Sequence, residues 1–190
     1  MQFKVIFLNK KGRDYMYPII KKLLTTRNYS NTSLKPQGVV VHSTATSGAT
    51  TENEVNFYNS ANCKTSVHGF IDWTSIVQTL DFNKRAWHCG AHGNDNFIGV
   101  EMCEPKGHDE AKFIETWKRA TWYFAYIFVN VLKIHTISKD NLMSHAEVSD
   151  KWKESTHQDP VELFRGYGKT VDDFRNEVQA EINSQLGINK

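Results

Sequence analysis

Gly38-Val39-Val40-Val41-His42-Ser43-Thr44 is the stretch on which the fold turns. Lys35-Pro36 breaks the chain just before it, and its β-branched apolar run predicts a strand that ends at His42. A second short run, Asn141-Leu142-Met143-Ser144, delivers His145 in the same way, and Asp159 follows just before Pro160. A strand holds its terminal side chain on a stiff, hydrogen-bonded support, so such histidines can be fixed to within about an ångström. Neutral imidazole nitrogen and carboxylate oxygen both suit zinc, and three protein ligands leave a fourth tetrahedral position for water.

Working outward, the pattern predicts a helix around Tyr17–Leu24 and a polar loop over Thr25–Gln37. Thr51-Glu52-Asn53-Glu54 fits a capping box in which the Thr51 hydroxyl accepts from the third helical amide and Glu54 reaches back. That helix should run through Asn59. Val67–Ile71 and Ser75–Leu80 flank Asp72-Trp73-Thr74 and read as a β-hairpin. Ile98–Cys103 reads as a strand with Ile98, Val100 and Met102 on one face and Gly99, Glu101 and Cys103 on the other.

Phe113, Ile114, Trp117, Thr121, Phe124, Phe128 and Val131 recur at helical spacing and predict a long buried helix over Asp109–Lys133. A last helix is expected from a Thr170 cap, with Asp173 in its first turn, to Leu186; Val171, Phe174, Val178 and Ile182 form its inner stripe. Strands interleaved with helices of this length predict an α/β fold, a mixed central sheet flanked by helices.

With 190 residues, 39% of them hydrophobic and only four prolines, the chain reads as one domain, residues 1–190, without low-complexity segments. A formal charge of +2 is too weak for a nucleic-acid partner, which needs a concentrated basic face. Lys10-Lys11 and Lys21-Lys22 read as solvated charge. The longest apolar stretch, Trp122 to Val129, falls far short of the ~20 residues of a membrane span, so no membrane insertion is expected. Val5-Ile6-Phe7-Leu8 is too short for a secretory signal, and three widely spaced cysteines (Cys63, Cys89, Cys103) read as reduced thiols. Both point to a protein made in the cytoplasm. Nothing in the pattern specifies an oligomeric state.

The bland readings stand beside these. A histidine next to a strand is commonly a satisfied structural residue, and the chain has eight. His88-Cys89-Gly90-Ala91-His92 is a rival metal cluster, although Gly90 and Gly93 argue for a loop. Glu101 lies on an otherwise apolar strand, where an unpaired carboxylate costs several kcal/mol. It is either salt-bridged or set beside a metal to take a proton from water. Asp159-Pro160 also fits a helix start, with the carboxylate capping Val161–Phe164.

Taken together, several segments resemble the zinc-dependent N-acetylmuramoyl-L-alanine amidases of the amidase type 2 family, relatives of the peptidoglycan recognition proteins. Val39-Val40-Val41-His42-Ser43-Thr44 is similar to the family's first-ligand strand, and Ser66-Val67-His68-Gly69-Phe70-Ile71-Asp72 to its histidine-bearing strand. Ala86-Trp87-His88-Cys89-Gly90, Asn96-Phe97-Ile98-Gly99-Val100-Glu101 and Ser144-His145-Ala146-Glu147-Val148 follow in family order, and Asp159-Pro160 stands where the third ligand falls. The likeness covers about residues 36–165; the first 35 residues lie outside it.

The resemblance implies a peptidoglycan recognition protein-like fold, with His42, His145 and Asp159 as ligands of a zinc ion and Glu101 as catalytic carboxylate. It implies Trp87 and His88 as pocket wall, Thr44 and His68 as further substrate contacts, and bacterial peptidoglycan as the partner. Where many members carry an oxyanion-stabilising lysine two residues before the third ligand, this chain has His157, which can donate the same hydrogen bond. The implied reaction cleaves the amide between N-acetylmuramic acid and L-alanine of the stem peptide. A recognition module that binds without cutting, and a zinc peptidase acting within the stem, are the competing classes. A wall hydrolase without a signal peptide fits a phage endolysin released through a holin pore, or else a bacterial autolysin.

Overall fold

The computed structural model describes residues 17–26 and 28–188; the Val5–Leu8 run and the Lys10-Lys11 pair lie outside the described residues. Its strands in chain order are β1 (Ile19–Lys21), β2 (Tyr29–Ser33), β3 (Gly38–Ser43), β4 (Gly69–Ile71), β5 (Ile76–Gln78), β6 (Lys84–Ala86), β7 (Phe97–Met102) and β8 (Leu142–Ser144). Among the described residues six of them form one sheet in the order β1-β5-β4-β7-β3-β8, while β2 and β6 pair separately and antiparallel. Only β4 and β5 run antiparallel within the larger sheet, which makes it mixed, as expected. The helices are α1 (Thr51–Tyr58), α2 (Ala91–Asn96), α3 (Glu110–Tyr126), α4 (His145–Trp152), α5 (Val161–Gly166) and α6 (Val171–Leu186).

Alternation along β3 and β7 divides the molecule. Val39 and Val41, with Ile98, Val100 and Met102, pack into one core with Trp117, Phe124, Phe174 and Val178 of α3 and α6. Burying each such side chain contributes roughly 1.5–3 kcal/mol. The intervening residues of the same strands turn to the opposite face, where Val40 meets Cys89, Phe97, Met143 and Val148. His42 and Glu101 share this second face and stand opposite each other in the β3–β7 register. The sheet thus places a histidine and a carboxylate side by side.

β3 and β8 approach so closely at Gly38 that an added Cβ would lie 2.1 Å from the Asn141 carbonyl oxygen; only glycine fits there. At the end of β8 the Ser144 hydroxyl accepts from the Glu147 amide while Glu147 accepts from the Ser144 amide at 2.8 Å, a capping box that starts α4 at His145. His145 therefore sits on the first turn of a helix that directly continues a strand.

Several expected elements are corrected. Tyr17–Leu24 is not a helix: Ile19 is buried, Ile20 exposed, and the segment pairs with β5 as an edge strand. Ladder bonds to β5 satisfy a β-branched pair better than an isolated helical turn would. The expected loop over Thr25–Gln37 contains β2. The α1 cap is Thr50 with Asn53 rather than Thr51 with Glu54, because Thr51 is drawn to the hairpin turn, where its amide donates to Asp72 at 2.8 Å.

The long helix ends at Tyr126 and continues as a π-helical turn, Ile127–Leu132, before Lys133 adopts a left-handed conformation. The stretch His88–His92, expected as loop, runs at Ala91 into α2. Asp159 does not cap α5, whose N-cap is Pro160 without a side-chain bond. The final helix and its Thr170–Asp173 capping box stand as expected.

Candidate metal centre

His42, His145 and Asp159 converge, each with one ligand atom within 4.8 Å of the others. Asp159 places Oδ2 3.0 Å from His42 Nδ1 and Oδ1 3.0 Å from His145 Nδ1. A tetrahedral zinc ion with ligands at ~2.0–2.1 Å holds its donors about 3.4 Å apart, so the two Asp159 contacts would need to open by only a few tenths of an ångström to admit one. The Ser43 amide, at 3.3 Å from Oδ2, helps hold the carboxylate.

Polar bookkeeping makes the same point independently. The Phe97 carbonyl oxygen lies 3.3 Å from His88 Nε2 and can only accept, so that nitrogen carries a proton. Burial, reinforced by the neighbouring His42 and His68, pushes the His88 pKa well down, so the ring is neutral and its Nδ1 presents a lone pair. His42 Nε2, 2.9 Å from that lone pair, must donate to it. Burial also lowers the His42 pKa, against the opposing pull of Asp159, and a neutral ring donating through Nε2 keeps a lone pair on Nδ1. Burial alone would raise the Asp159 carboxyl, but its contacts with His145 and His42 outweigh that and hold it well below the usual range, so it is ionised. A lone pair then faces a carboxylate at 3.0 Å. A divalent cation between them would resolve that conflict, and two imidazoles with a carboxylate are a donor set that suits zinc.

Beside this group Glu101 is buried, and its Oε2 has no hydrogen-bond partner. Burial, with the Asp159 charge adding to it, pushes its pKa well above the usual carboxylate value. No salt bridge neutralises it among the described residues. A buried carboxyl left open toward a metal-ligand cluster is the arrangement expected of a proton acceptor.

Residues 32–162 match the family described as N-acetylmuramoyl-L-alanine amidase. The chain belongs to that family. It is 31% identical over 151 residues to Protein Ami of Listeria monocytogenes, an alignment covering 77% of this chain but 16% of that protein. A mutant endolysin from Bacillus subtilis superposes with a TM-score of 0.69 at 26% identity, covering 86% of this chain and 99% of that one. The Staphylococcus aureus hydrolase AmiA, crystallised with its ligand, gives a TM-score of 0.82 over 92% of this chain and 88% of that chain; at 23% identity this shows the shared fold.

The remaining expected site residues of this amidase chain divide into two groups. His157 is largely exposed, at 73%, and lies parallel to His145 with ring centroids 5.1 Å apart. Its Nδ1 stands 4.0 Å from Asp159 Oδ1. Trp87 exposes 37% of its surface, and the Thr44 hydroxyl is buried without a partner.

His68 and His88 are not rim residues. His68 is fully buried, accepts from the Gly99 amide at 3.0 Å and donates to the Lys84 carbonyl at 2.9 Å. Burial depresses its pKa to about 4, so it ties β4, β6 and β7 together as a neutral ring. Both of its ring nitrogens are thus committed to backbone groups. His88 turns inward beneath His42, over Gly99, where an added Cβ would lie 2.6 Å from its Nδ1.

The rival His88–His92 cluster does not assemble as one site, because His92 faces out on α2 and pairs with Glu154. His42, His88 and Cys89 do lie near one another, but burial raises the Cys89 thiol pKa and disfavours the thiolate a metal needs. All three cysteines are free and buried.

Two supporting residues escaped the sequence reading. Ser155 Oγ lies 2.9 Å from His145 Nε2 and accepts from the His157 amide at 3.2 Å, linking His145 to the loop carrying Asp159. Arg175 of α6 is buried, donates to the Leu142 carbonyl at 2.8 Å and pairs with Glu147, clamping the strand–helix junction that presents His145. Ser144 and Glu147 have the residue types and spacing of a capping box, a signal that could have marked the start of α4. An arginine partner arriving from α6 has no such signal.

Proposed function

We propose that this chain is a zinc-dependent amidase domain that cleaves the bond between N-acetylmuramic acid and L-alanine of bacterial peptidoglycan. The observation carrying this reading is the convergence of two imidazoles and an ionised carboxylate beside a buried, unpartnered Glu101. Family membership over residues 32–162 supports the substrate class. Residues 1–190 are read as one catalytic unit, with the stretch before residue 36 outside the family motifs.

His42 Nδ1, His145 Nδ1 and one Asp159 oxygen would hold the ion, which supplies Lewis acidity that polarises the amide carbonyl and makes water more acidic. Glu101 Oε2 accepts the proton of the attacking water, and the raised pKa that burial gives it makes the carboxylate a stronger base. The same oxygen then returns the proton to the departing alanine nitrogen. His157 donates a hydrogen bond to the negative oxygen of the tetrahedral intermediate; one such donor is typically worth ~3–4 kcal/mol of barrier. Trp87 offers an aromatic rim surface for substrate, and the free Thr44 hydroxyl offers a hydrogen bond.

Mass spectrometry of purified peptidoglycan treated with the protein tests this reading. New L-alanine amino termini on intact glycan, abolished by a chelator and restored by zinc, are expected. Cuts between stem amino acids would mean a peptidase, and binding without products a recognition module. Asp159→Ala should lower zinc content; undiminished content rejects it as a ligand.

A further inference from the structure

His88 is conspicuous because both of its ring nitrogens contact protein atoms. Its Nε2 faces the Phe97 carbonyl at 3.3 Å, its Nδ1 faces His42 Nε2 at 2.9 Å, and the bare Gly99 leaves room for the ring. Its own backbone is fixed as well: the His88 and Cys89 amides both donate to Asn94 Oδ1, at 2.7 and 3.0 Å. The ring is therefore held at three points before any substrate arrives.

We infer that His88 is a positioning residue that locks His42 in its Nε2-protonated tautomer through a Phe97–His88–His42 hydrogen-bond relay, so that Nδ1 is kept free for a divalent cation. This rests on the metal reading proposed above and deepens it. A carbonyl oxygen cannot donate, so the relay has one direction: Phe97 fixes the proton on His88 Nε2, His88 Nδ1 then accepts, and His42 Nε2 must give. Without the acceptor at position 88, His42 can carry its proton on either nitrogen. The tautomer protonated at Nδ1 would satisfy the Asp159 carboxylate by an ordinary hydrogen bond at 3.0 Å and would close the site to metal. His88 thus decides between an ion site and a closed His–Asp pair. Outer partners of metal-binding histidines typically change affinity 10- to 100-fold when removed.

The reading separates from a substrate-contact role, which predicts a raised KM and unchanged metal affinity. His88→Leu removes the acceptor at similar volume. His88→Asn keeps an oxygen near the place of Nδ1. Zinc affinity, measured by competition with a chromophoric chelator, should fall about 10- to 100-fold in His88→Leu and recover most of that loss in His88→Asn. Long-range ¹H–¹⁵N spectra of the zinc-loaded wild-type protein should show the His42 proton on Nε2.

Equal zinc affinity in wild type and His88→Leu, or a His42 proton on Nδ1, would overturn the relay while leaving the metal reading intact. Failure of the wild-type protein to bind zinc would overturn both. Should His88→Leu fail to fold, the Asn variant and the wild-type spectrum still decide: an Asn variant as weak as the chelator limit argues against the relay, as does the wrong tautomer.

Discussion

The two faces of β3 and β7 are built from alternate residues of the same strands, yet they obey different rules. On one face Val39, Val41, Ile98, Val100 and Met102 meet α3 and α6 through non-directional apolar contact. Many atoms share the load, and each makes a small contribution. On the other face His42, His68 and Glu101 are also buried and His88 is half-buried, but their polar atoms must be satisfied one by one. His68 is fully satisfied by backbone, His88 by the Phe97 carbonyl and His42, while His42 Nδ1 faces the Asp159 carboxylate and Glu101 Oε2 has no partner. The face that stabilises the protein is redundant; the face that performs chemistry is not.

Exchanging Glu101 for Gln tests that contrast most sharply. Loss of the proton acceptor is expected to lower kcat by about 10²- to 10⁴-fold, with zinc content unchanged. Because burial disfavours the ionised carboxyl, the neutral amide should leave the melting temperature equal or raised. An active Glu101→Gln variant, or one that loses zinc along with activity, would show that Glu101 has been given the wrong role.

The opposite outcome is expected across the sheet. Phe124 of α3 is fully buried against Phe174, their ring centroids 5.0 Å apart in an edge-to-face arrangement. Phe124→Ala should cost about 3–5 kcal/mol of stability through lost burial and the cavity left behind. Activity per folded molecule should stay near wild type, since none of these atoms faces the ligands. Denaturant titration alongside rates corrected for folded fraction measures both quantities. A large change in kcat at full folding would mean that the two faces are mechanically coupled.

The same division explains what the sequence disclosed. Apolar periodicity announces non-directional packing, so the stripe of α6 and the alternating residues of β7 were readable directly. The grouping of His42, His145 and Asp159 was readable too, because their order along the chain matched a known family pattern. Short edge strands were not: β1 spans only three residues and β2 is largely polar, so each is defined by its pairing with β5 or β6 rather than by a pattern of its own. Nor were the inward turn of His88 and the saturation of His68, since one-letter patterns carry no direction for an imidazole. The cap of α1 slipped by one residue because Thr50 and Thr51 are interchangeable as caps until Asp72 and Ser75 claim Thr51.

The gentlest test concerns Glu54 of α1, on which burial alone acts to raise the pKa to about 7. Between the ordinary carboxylate value of 4.5 and about 7, the folded chain holds a proton at Glu54 that the unfolded chain has released. Stability from this group is therefore fully present below 4.5 and is lost as pH rises through about 7. Glu54→Gln stays neutral at every pH and should escape that loss. Melting curves of the metal-free wild type and variant, taken from pH 4 to 8, should thus diverge upward through this window, the variant becoming the relatively more stable. Parallel curves would mean that Glu54 finds a charged or hydrogen-bonded partner on folding, and that the polar face tolerates only one unanswered carboxyl, that of Glu101.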